Sequence, residues 1–168
     1  QVVVTGEQDD DDYFVPNAST ATRTDTPLRD IPQSIQVIPR QVIEDQQAIG
    51  LDEVLNNVSG VTTGGRVSNA AESFNIRGFS DTSVLRDGFR QFGGQGQNFA
   101  ETANLEQEEV LKGPASILYG EIEPGGVVNL VTKKPLAEGS LYEATLQLGN
   151  DSLVRPQIDF SDSLTTDG

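Results

Sequence analysis

Carboxylates are the residues of this chain that could do chemistry, since 26 acidic side chains stand against 11 basic ones. Asp81 and Asp87 have the chemistry of general bases, and the aspartate run at residues 9–12 could attract Ca²⁺. The chain contains no Cys, His or Met, so thiol nucleophiles, imidazole bases and soft metal ligands are missing. No nucleophile stands beside a base, and the aspartate run lacks the spaced oxygen ligands and the glycine of an EF-hand loop. The sequence therefore predicts no catalytic residue, no metal site and no intrinsic cofactor.

The net charge of −15 limits the possible partners. Nucleic-acid binding needs clustered Lys and Arg to neutralise phosphates, and an anionic lipid surface attracts the same residues. We therefore expect no nucleic-acid partner.

Proline and glycine divide the first half of the chain into short elements. A strand is predicted over Ser34–Ile38, and Pro39 suits the first turn of a helix that runs through Gln47. Gly50 breaks this helix, and the apolar spacing of Leu51–Val58 predicts a second one.

The middle of the chain predicts short strands joined by tight turns. Phe74 and Ile76 alternate in one strand, and the dipeptide at residues 87–88, Asp-Gly, is a strong hairpin signal. A further strand is predicted at Glu109–Leu111, followed by a single helical turn that ends at Gly120.

The C-terminal residues alternate between apolar and polar side chains over two stretches of about nine residues, the pattern of a transmembrane β-barrel. The apolar positions are Tyr142, Ala144, Leu146, Leu148, Val154, Pro156, Ile158 and Phe160. A half-buried soluble hairpin gives the same pattern. On these residues alone we favour the soluble hairpin.

Five phrases follow one another in a characteristic order: VVVTG, SFNIRGF, VLRDGF, VLKGPASILYG and PGGVVNLVTKKP. With these phrases and their spacings, the chain resembles the N-terminal plug of a TonB-dependent outer-membrane receptor of the ferric-siderophore type. The stretch TPLRDIPQSIQVIP is similar to the siderophore-receptor branch. The resemblance implies an α+β fold, a mixed four-stranded sheet with short helices, followed by the first two strands of a truncated β-barrel. In this family the plug sits inside a barrel of about 22 strands.

The resemblance also implies three segments. Residues 1–26 are expected to form a TonB box and a flexible, acidic and Thr-rich tether without a core of its own. Residues 27–137 are expected to form the plug, and residues 138–168 the first β-hairpin of the barrel.

The apolar stub at the start of the chain is similar to the family's TonB box, with Val2, Val3, Val4, Thr5 and Gly6 as its residues. Such a box adds as a strand to the edge of the periplasmic domain of TonB, and β-branched residues favour the extended state. A frayed terminus is the alternative, and the other motifs favour the box.

Two basic residues carry the plug–barrel contact that the resemblance implies. Arg77 and Lys112 are expected to face acidic residues on the inner barrel wall, where a cation gains more from a carboxylate than in bulk water. Lys112 stands where many members carry Arg, and it lacks the bidentate fork of a guanidinium. One of Glu106, Glu108 and Glu109 is expected to pair with a base inside the plug.

Ligand contacts are expected from loops at the outward-facing end of the plug. The candidates are Arg66, Ser80, Asp81, Thr82, Phe92, Gln95 and Phe99. A cation suits an anionic ferric chelate and aromatic rings suit its organic shell. Solvated loops without a binding role explain the same residues equally well.

The resulting hypothesis is a plug in the outer membrane with its N-terminus in the periplasm. Its partners would be TonB, a ferric siderophore and its own β-barrel, and it would perform no bond chemistry. One alternative is a stand-alone periplasmic module that binds TonB without transport. The other is a Ca²⁺-binding protein or a carboxylate enzyme.

Overall fold

The computed structural model describes residues 13–67, 71–80, 82–90, 101–135 and 140–162, with the backbone alone at 64–67 and 71–73. The chain divides into two compact units, residues 1–132 and 133–168. In chain order, the described elements of the first unit are β1 (Asn17–Ala18), β2 (Thr26–Pro27), β3 (Ser34–Pro39), α1 (Arg40–Asp45), α2 (Leu51–Leu55), β4 (Val61–Val67), β5 (Ala71–Ile76), β6 (Ser83–Arg86), β7 (Phe89–Arg90), β8 (Leu105–Lys112), α3 (Ser116–Tyr119) and β9 (Gly126–Thr132).

The main sheet has the strand order β3-β8-β9-β6-β7. Strands β6 and β9 run parallel and the other neighbours antiparallel, so the predicted mixed sheet is confirmed. The described sheet has five strands instead of the predicted four, because the two-residue β7 folds back onto β6. Asp87 and Gly88 form the turn between them, with φ of 50° and 79°, as a primed hairpin turn requires.

The two helices of the first half begin where the sequence predicts and end earlier. Pro39 is the N-cap of α1, and the helix stops before Gln47, whose φ of 52° is left-handed. Helix α2 covers only Leu51–Leu55, but Val58 beyond it stays buried with the helix's apolar face. At four to six residues, none of the helices in the described part of the chain is long or apolar enough to cross a membrane.

One face of the main sheet packs against helices α1 and α2 and the antiparallel pair β4–β5. Val110, Val128 and Leu130 point to this side because they alternate with the residues of the opposite face. Leu55 and Phe74 are among the side chains that cover them, and both are fully buried. Among the described residues, this layer is the larger of two buried apolar clusters.

The opposite face of the sheet is covered by the N-terminal segment and α3. Leu111 and Val127 meet Ala18 and Ala21 there. The prediction that the tether extends to residue 26 is therefore wrong for this part, since Ala18 is only 1% exposed. Its small, polar composition suggests a chain without a core, yet small side chains let a backbone lie close against a sheet. Residues 1–12 of the predicted tether lie outside the described residues.

The second unit is an antiparallel hairpin of β10 (Ser140–Leu148) and β11 (Val154–Asp162). The predicted alternation is present, and Tyr142 pairs with Phe160 across the two strands. The apolar side chains are exposed, Ile158 by 78%. The unit begins at residue 133, earlier than the predicted boundary at 138, and Lys133 forms an ion pair with Asp159 of β11.

Substitution of Gly126 tests how closely the backbones of β8 and β9 approach each other. A Cβ at this position would lie 2.1 Å from the Leu111 carbonyl oxygen, and the residue has a φ of 144°. We expect Gly126→Ala to lower the free energy of unfolding by about 3 kcal/mol, measured by urea denaturation with circular dichroism. Gly60→Ala is the matched control, because Gly60 has a φ of 77° but open space around it. The control should cost only the left-handed penalty of about 1 kcal/mol, and equal losses would contradict the close approach.

Candidate functional site

Arg77 lies in an exposed tight turn at the end of β5. The turn is closed by two backbone hydrogen bonds between Ile76 and Phe79, each 3.0 Å long. Arg77 adopts a φ of 53° and its N–H donates to the Gly60 carbonyl at 2.8 Å. A non-glycine residue in the left-handed region is uncommon, so the fold fixes the position of this side chain at a cost in backbone energy.

Lys112 ends β8 beside Ser34 of β3 and Gly126 of β9. Its ammonium group donates to Gln36 Oε1 at 3.0 Å and to Ser59 Oγ at 3.1 Å. Both partners are neutral. They hold the lysine head without cancelling its charge.

Arg77 and Lys112 form a cation pair. The Arg77 Nη1 atom lies 3.6 Å from where a side chain on Gly113 would begin, next to Lys112 along the chain. Burial lowers the pKa of Lys112, and the nearby Arg77 charge lowers it further. Across the described ranges, no carboxylate lies within ion-pair distance of either cation. The sequence placed these residues far apart in the chain, and the fold brings them together.

The chemical function that such a cation pair suits best is the binding of an external anion. Two neighbouring cations repel each other, and a carboxylate brought between them would relieve that repulsion. The contact with an acidic barrel wall stays a prediction, because the wall is not part of the described residues.

The three glutamates near the end of β8 have different environments. Glu106 is exposed, while Glu108 and Glu109 are buried on opposite faces of the sheet. Glu109 accepts hydrogen bonds from the backbone N–H groups of Ser19 and Thr20, so its partners are not the base that the sequence predicts.

Sequence reasoning missed this second polar cluster, which also includes Tyr119 and Asn129. A carboxylate next to Val110 and Leu111 in a central strand was a usable signal that a buried partner exists. Nothing in the sequence indicated that the partner lies about 90 residues earlier, in a segment that looks like a linker.

Most of the predicted ligand-contacting residues lie outside the described residues or without a described side chain. Asp81, Phe92, Gln95 and Phe99 fall in the first group, as do Val2, Val3, Val4, Thr5 and Gly6 of the predicted TonB box. Arg66 lies on β4 opposite Glu72 of β5, with only its backbone described.

The structure separates the two remaining ligand candidates. Ser80 is exposed, as a ligand contact requires. Thr82 is only 5% exposed and its N–H faces the Phe74 carbonyl oxygen, so it is a core residue in this conformation and a poor ligand contact.

Asp87, a candidate general base, has a structural role in the described fold. Its carboxylate accepts hydrogen bonds from the backbone N–H of Thr132 at 2.9 Å and from the Thr132 hydroxyl at 2.8 Å. Within the described part of the chain, no group of three or more acidic side chains is placed to hold a metal ion.

Comparison with known proteins gives a family match. Residues 27–127 match the family described as TonB-dependent Receptor Plug Domain. The ferrichrome outer membrane transporter/phage receptor of Escherichia coli is 37% identical over 157 residues, which cover 90% of this chain and 21% of that protein. The metal-pseudopaline receptor CntO of Pseudomonas aeruginosa is 44% identical over 127 residues, 75% of this chain and 18% of that protein.

The solved structures agree with this match. The chain superimposes on P. aeruginosa FpvA bound to heterologous pyoverdines with a TM-score of 0.85 and 29% identity, over 94% of this chain and 21% of that one. The chain thus spans about a fifth of the length of these relatives.

The cation pair predicts a measurable pKa change at Lys112. We expect Arg77→Gln to raise the pKa of Lys112 toward its ordinary value of 10.5 without reaching it, because the larger cause, burial, remains. Carbon-13 NMR titration of the lysine Cε measures it. Arg90→Gln, at an exposed arginine on β7, is the control and should leave the pKa of Lys112 unchanged. No change in Arg77→Gln would contradict the proximity of the two cations.

The lowered pKa of Lys112 also determines how the stability of the fold changes with pH. The unfolded chain binds more protons at Lys112 than the folded one between the lowered pKa and 10.5, so this group's contribution to stability rises with pH across that window. Arg77→Gln should flatten that rise.

Proposed function

The chain belongs to the TonB-dependent receptor plug domains, and from this membership we propose that it closes the pore of an outer-membrane transporter for ferric siderophores. The observation that carries the proposal is the family match over residues 27–127, which begins within β2 and ends within β9. The matched region therefore contains all of β3, β6, β7 and β8 and the first two residues of β9. The plug acts by filling space and by binding, and we propose no bond chemistry for it.

The names of the relatives support the ligand class. One relative is a ferrichrome transporter of the outer membrane, and a similar solved structure holds pyoverdines. A ferric siderophore is an organic chelate that these receptors recognise as a whole, so the protein needs no resident metal site of its own. The ferric siderophore is therefore the transported substrate and not a cofactor of the protein.

Arg77 and Lys112 are proposed to lock the plug against its barrel. The support is geometric: the pair sits at one end of β8, Arg77 is exposed, and the described residues give neither cation a carboxylate partner. Acidic residues on an inner barrel wall would supply that partner in a restricted space, where screening by water is weaker.

Val2, Val3, Val4, Thr5 and Gly6 are proposed to bind TonB by strand addition in the periplasm. Backbone N–H and C=O groups of an added strand provide the affinity, and the acidic run that follows keeps the strand hydrated and extended. The tether that carries this box ends before Tyr13, because the Tyr13 hydroxyl donates to Asp45 and the Pro16 carbonyl oxygen accepts from the Leu28 N–H at 2.8 Å.

A stand-alone periplasmic module that only binds TonB is less well supported. The hairpin β10–β11 exposes large apolar side chains, among them Tyr142 and Phe160, at 73% and 75%. A soluble module gains nothing from such a surface, whereas strands of an outer-membrane barrel need one.

Removing the box tests the proposal. We expect deletion of residues 2–6 from the complete receptor to abolish siderophore uptake while siderophore binding to whole cells is unchanged, because ligand contacts lie on the plug and barrel. Uptake of the radiolabelled iron chelate measures the first quantity and binding on ice measures the second.

A single substitution separates strand addition from a general need for the segment. Val4→Pro removes a backbone donor and should also block uptake, whereas Val4→Ile keeps both the donor and the β-branch and should not. Unimpaired uptake after the deletion would contradict the proposed box.

A further inference from the structure

Residues 17–31, here called the strap, cover one face of the main sheet and are held there by a buried carboxylate. Glu109 of β8 accepts hydrogen bonds from the backbone N–H of Ser19 at 3.0 Å and from that of Thr20 at 2.7 Å. The Thr20 hydroxyl donates to the same carboxylate at 2.5 Å. Gln107, two residues earlier on β8, donates to its other oxygen at 2.7 Å. Consecutive N–H groups that converge on one anion are a strong way to fix a turn.

Every polar group of Thr20 has a partner in this cluster. Its carbonyl oxygen accepts from the Tyr119 hydroxyl at 2.7 Å, and its own hydroxyl oxygen accepts from Asn129 Nδ2 at 2.9 Å. Asn129 in turn accepts from the Gly88 N–H at 2.9 Å, in the turn between β6 and β7. Thr20, Glu109 and Asn129 are each about 99% buried. The strap is thus joined to two central strands and to a hairpin turn by one continuous hydrogen-bond network.

The apolar contribution of the strap around this cluster is small. Ala18 and Ala21 flank the clasped residues, and larger apolar contacts come only at Leu28 and Ile31. Strands β1 and β2 pair over just two residues each. Since a buried alanine methyl supplies little transfer free energy, residues 17–27 are attached mainly by polar contacts, among them the Glu109 carboxylate and the Arg23 guanidinium 5.0 Å from the Tyr119 ring centroid.

We propose that Glu109 is the positioning residue that anchors the strap and thereby sets where the free tether begins. This inference rests on the proposed function in treating the residues before Tyr13 as a tether. With the anchor closed, the tether ends at Tyr13, whose hydroxyl donates to Asp45. With the anchor open, residues 13–27 join the tether once this exposed hydrogen bond also breaks, and they add about fifteen residues, or roughly 50 Å of extended reach. The main sheet keeps its strand pairs in both states, because none of them involves the strap.

Local hydrogen exchange in the complete natural receptor chain, without TonB or siderophore, tests the anchor. Glu109→Gln keeps the shape of the side chain but removes its charge, so we expect the amides of Ser19 and Thr20 to exchange at least about tenfold faster, the loss of charged hydrogen bonds. The amides of β8 and β9 should keep their rates. Glu106→Gln, an exposed neighbour on the same strand, is the control and should change neither.

Two results would overturn the proposal. Unchanged exchange at Ser19 and Thr20 in Glu109→Gln would show that the carboxylate does not hold the strap. Equal acceleration in β8 and β9 would show a general loss of stability instead of a local anchor.

A second variant tests the anchor independently, in case Glu109→Gln does not fold. Thr20→Val removes the hydroxyl donor and keeps the backbone N–H, so it should also accelerate exchange of the strap. If the hydroxyl acts through Glu109, the double variant accelerates exchange by less than the product of the two single effects. A double effect equal to that product would contradict the contact.

Strap release also has a direct distance readout. These 168 residues contain no cysteine, so spin labels at Thr24→Cys and Arg90→Cys are unique in the complete receptor once any cysteine elsewhere in it is replaced by serine. We expect one narrow distance distribution in the otherwise unchanged chain and in Glu106→Gln, and an added longer component in Glu109→Gln. An unchanged distribution in Glu109→Gln would refute the anchor.

The anchor and the proposed function can fail separately. Faster strap exchange together with normal uptake after deletion of residues 2–6 would keep the anchor and refute the TonB role. Unchanged strap exchange with abolished uptake would refute only the anchor.

Discussion

Strands β8 and β9 lie at the centre of the main sheet and are buried on both faces, and the rest of the first unit is arranged to cover them. Val110 and Val128 face the helices, while Leu111 and Val127 face the strap and α3, all at 1% exposure or less. At the buried positions of these two strands, a polar side chain needs an internal partner. Glu109 and Asn129 meet that need through Thr20, and this ties a linker-like segment into the fold.

The same central strand also places the exposed charge. Lys112 is the last residue of β8, so the register that buries Glu109 and Leu111 fixes where the lysine head emerges beside Arg77. A rigid scaffold of this kind suits the proposed contact with a barrel carboxylate, because it fixes the position of the lysine head before the partner is present.

Local chemistry predicted much of the fold, because prolines and glycines act through their immediate neighbours. Pro39 at the start of α1, the Asp87-Gly88 turn and Gly120 after α3 all lie where the sequence indicates. Strand β8 is longer than predicted, because Glu106 and Glu108 interrupt the apolar pattern from which strands are read. The hairpin signal at Asp87-Gly88 does indicate β7, whereas the count of four strands comes from the family resemblance and leaves this short strand out.

The candidate site was harder to predict than the fold. Arg77 and Lys112 were identified through family resemblance, and their proximity depends on tertiary structure that no spacing reveals. Residues 17–26 of the strap have the composition of a linker and are therefore predicted as tether, whereas the carboxylate of a distant strand gives them a fixed position.

The central claim is that this domain closes a pore, and single-channel conductance tests that claim most directly. The complete receptor would be reconstituted in a planar bilayer and compared with a variant from which residues 27–132 are deleted. We predict that the intact receptor conducts no ions above the bilayer background and that the deletion variant conducts steadily as an open channel. Equal conductance of the two proteins would contradict the claim that the domain is a plug.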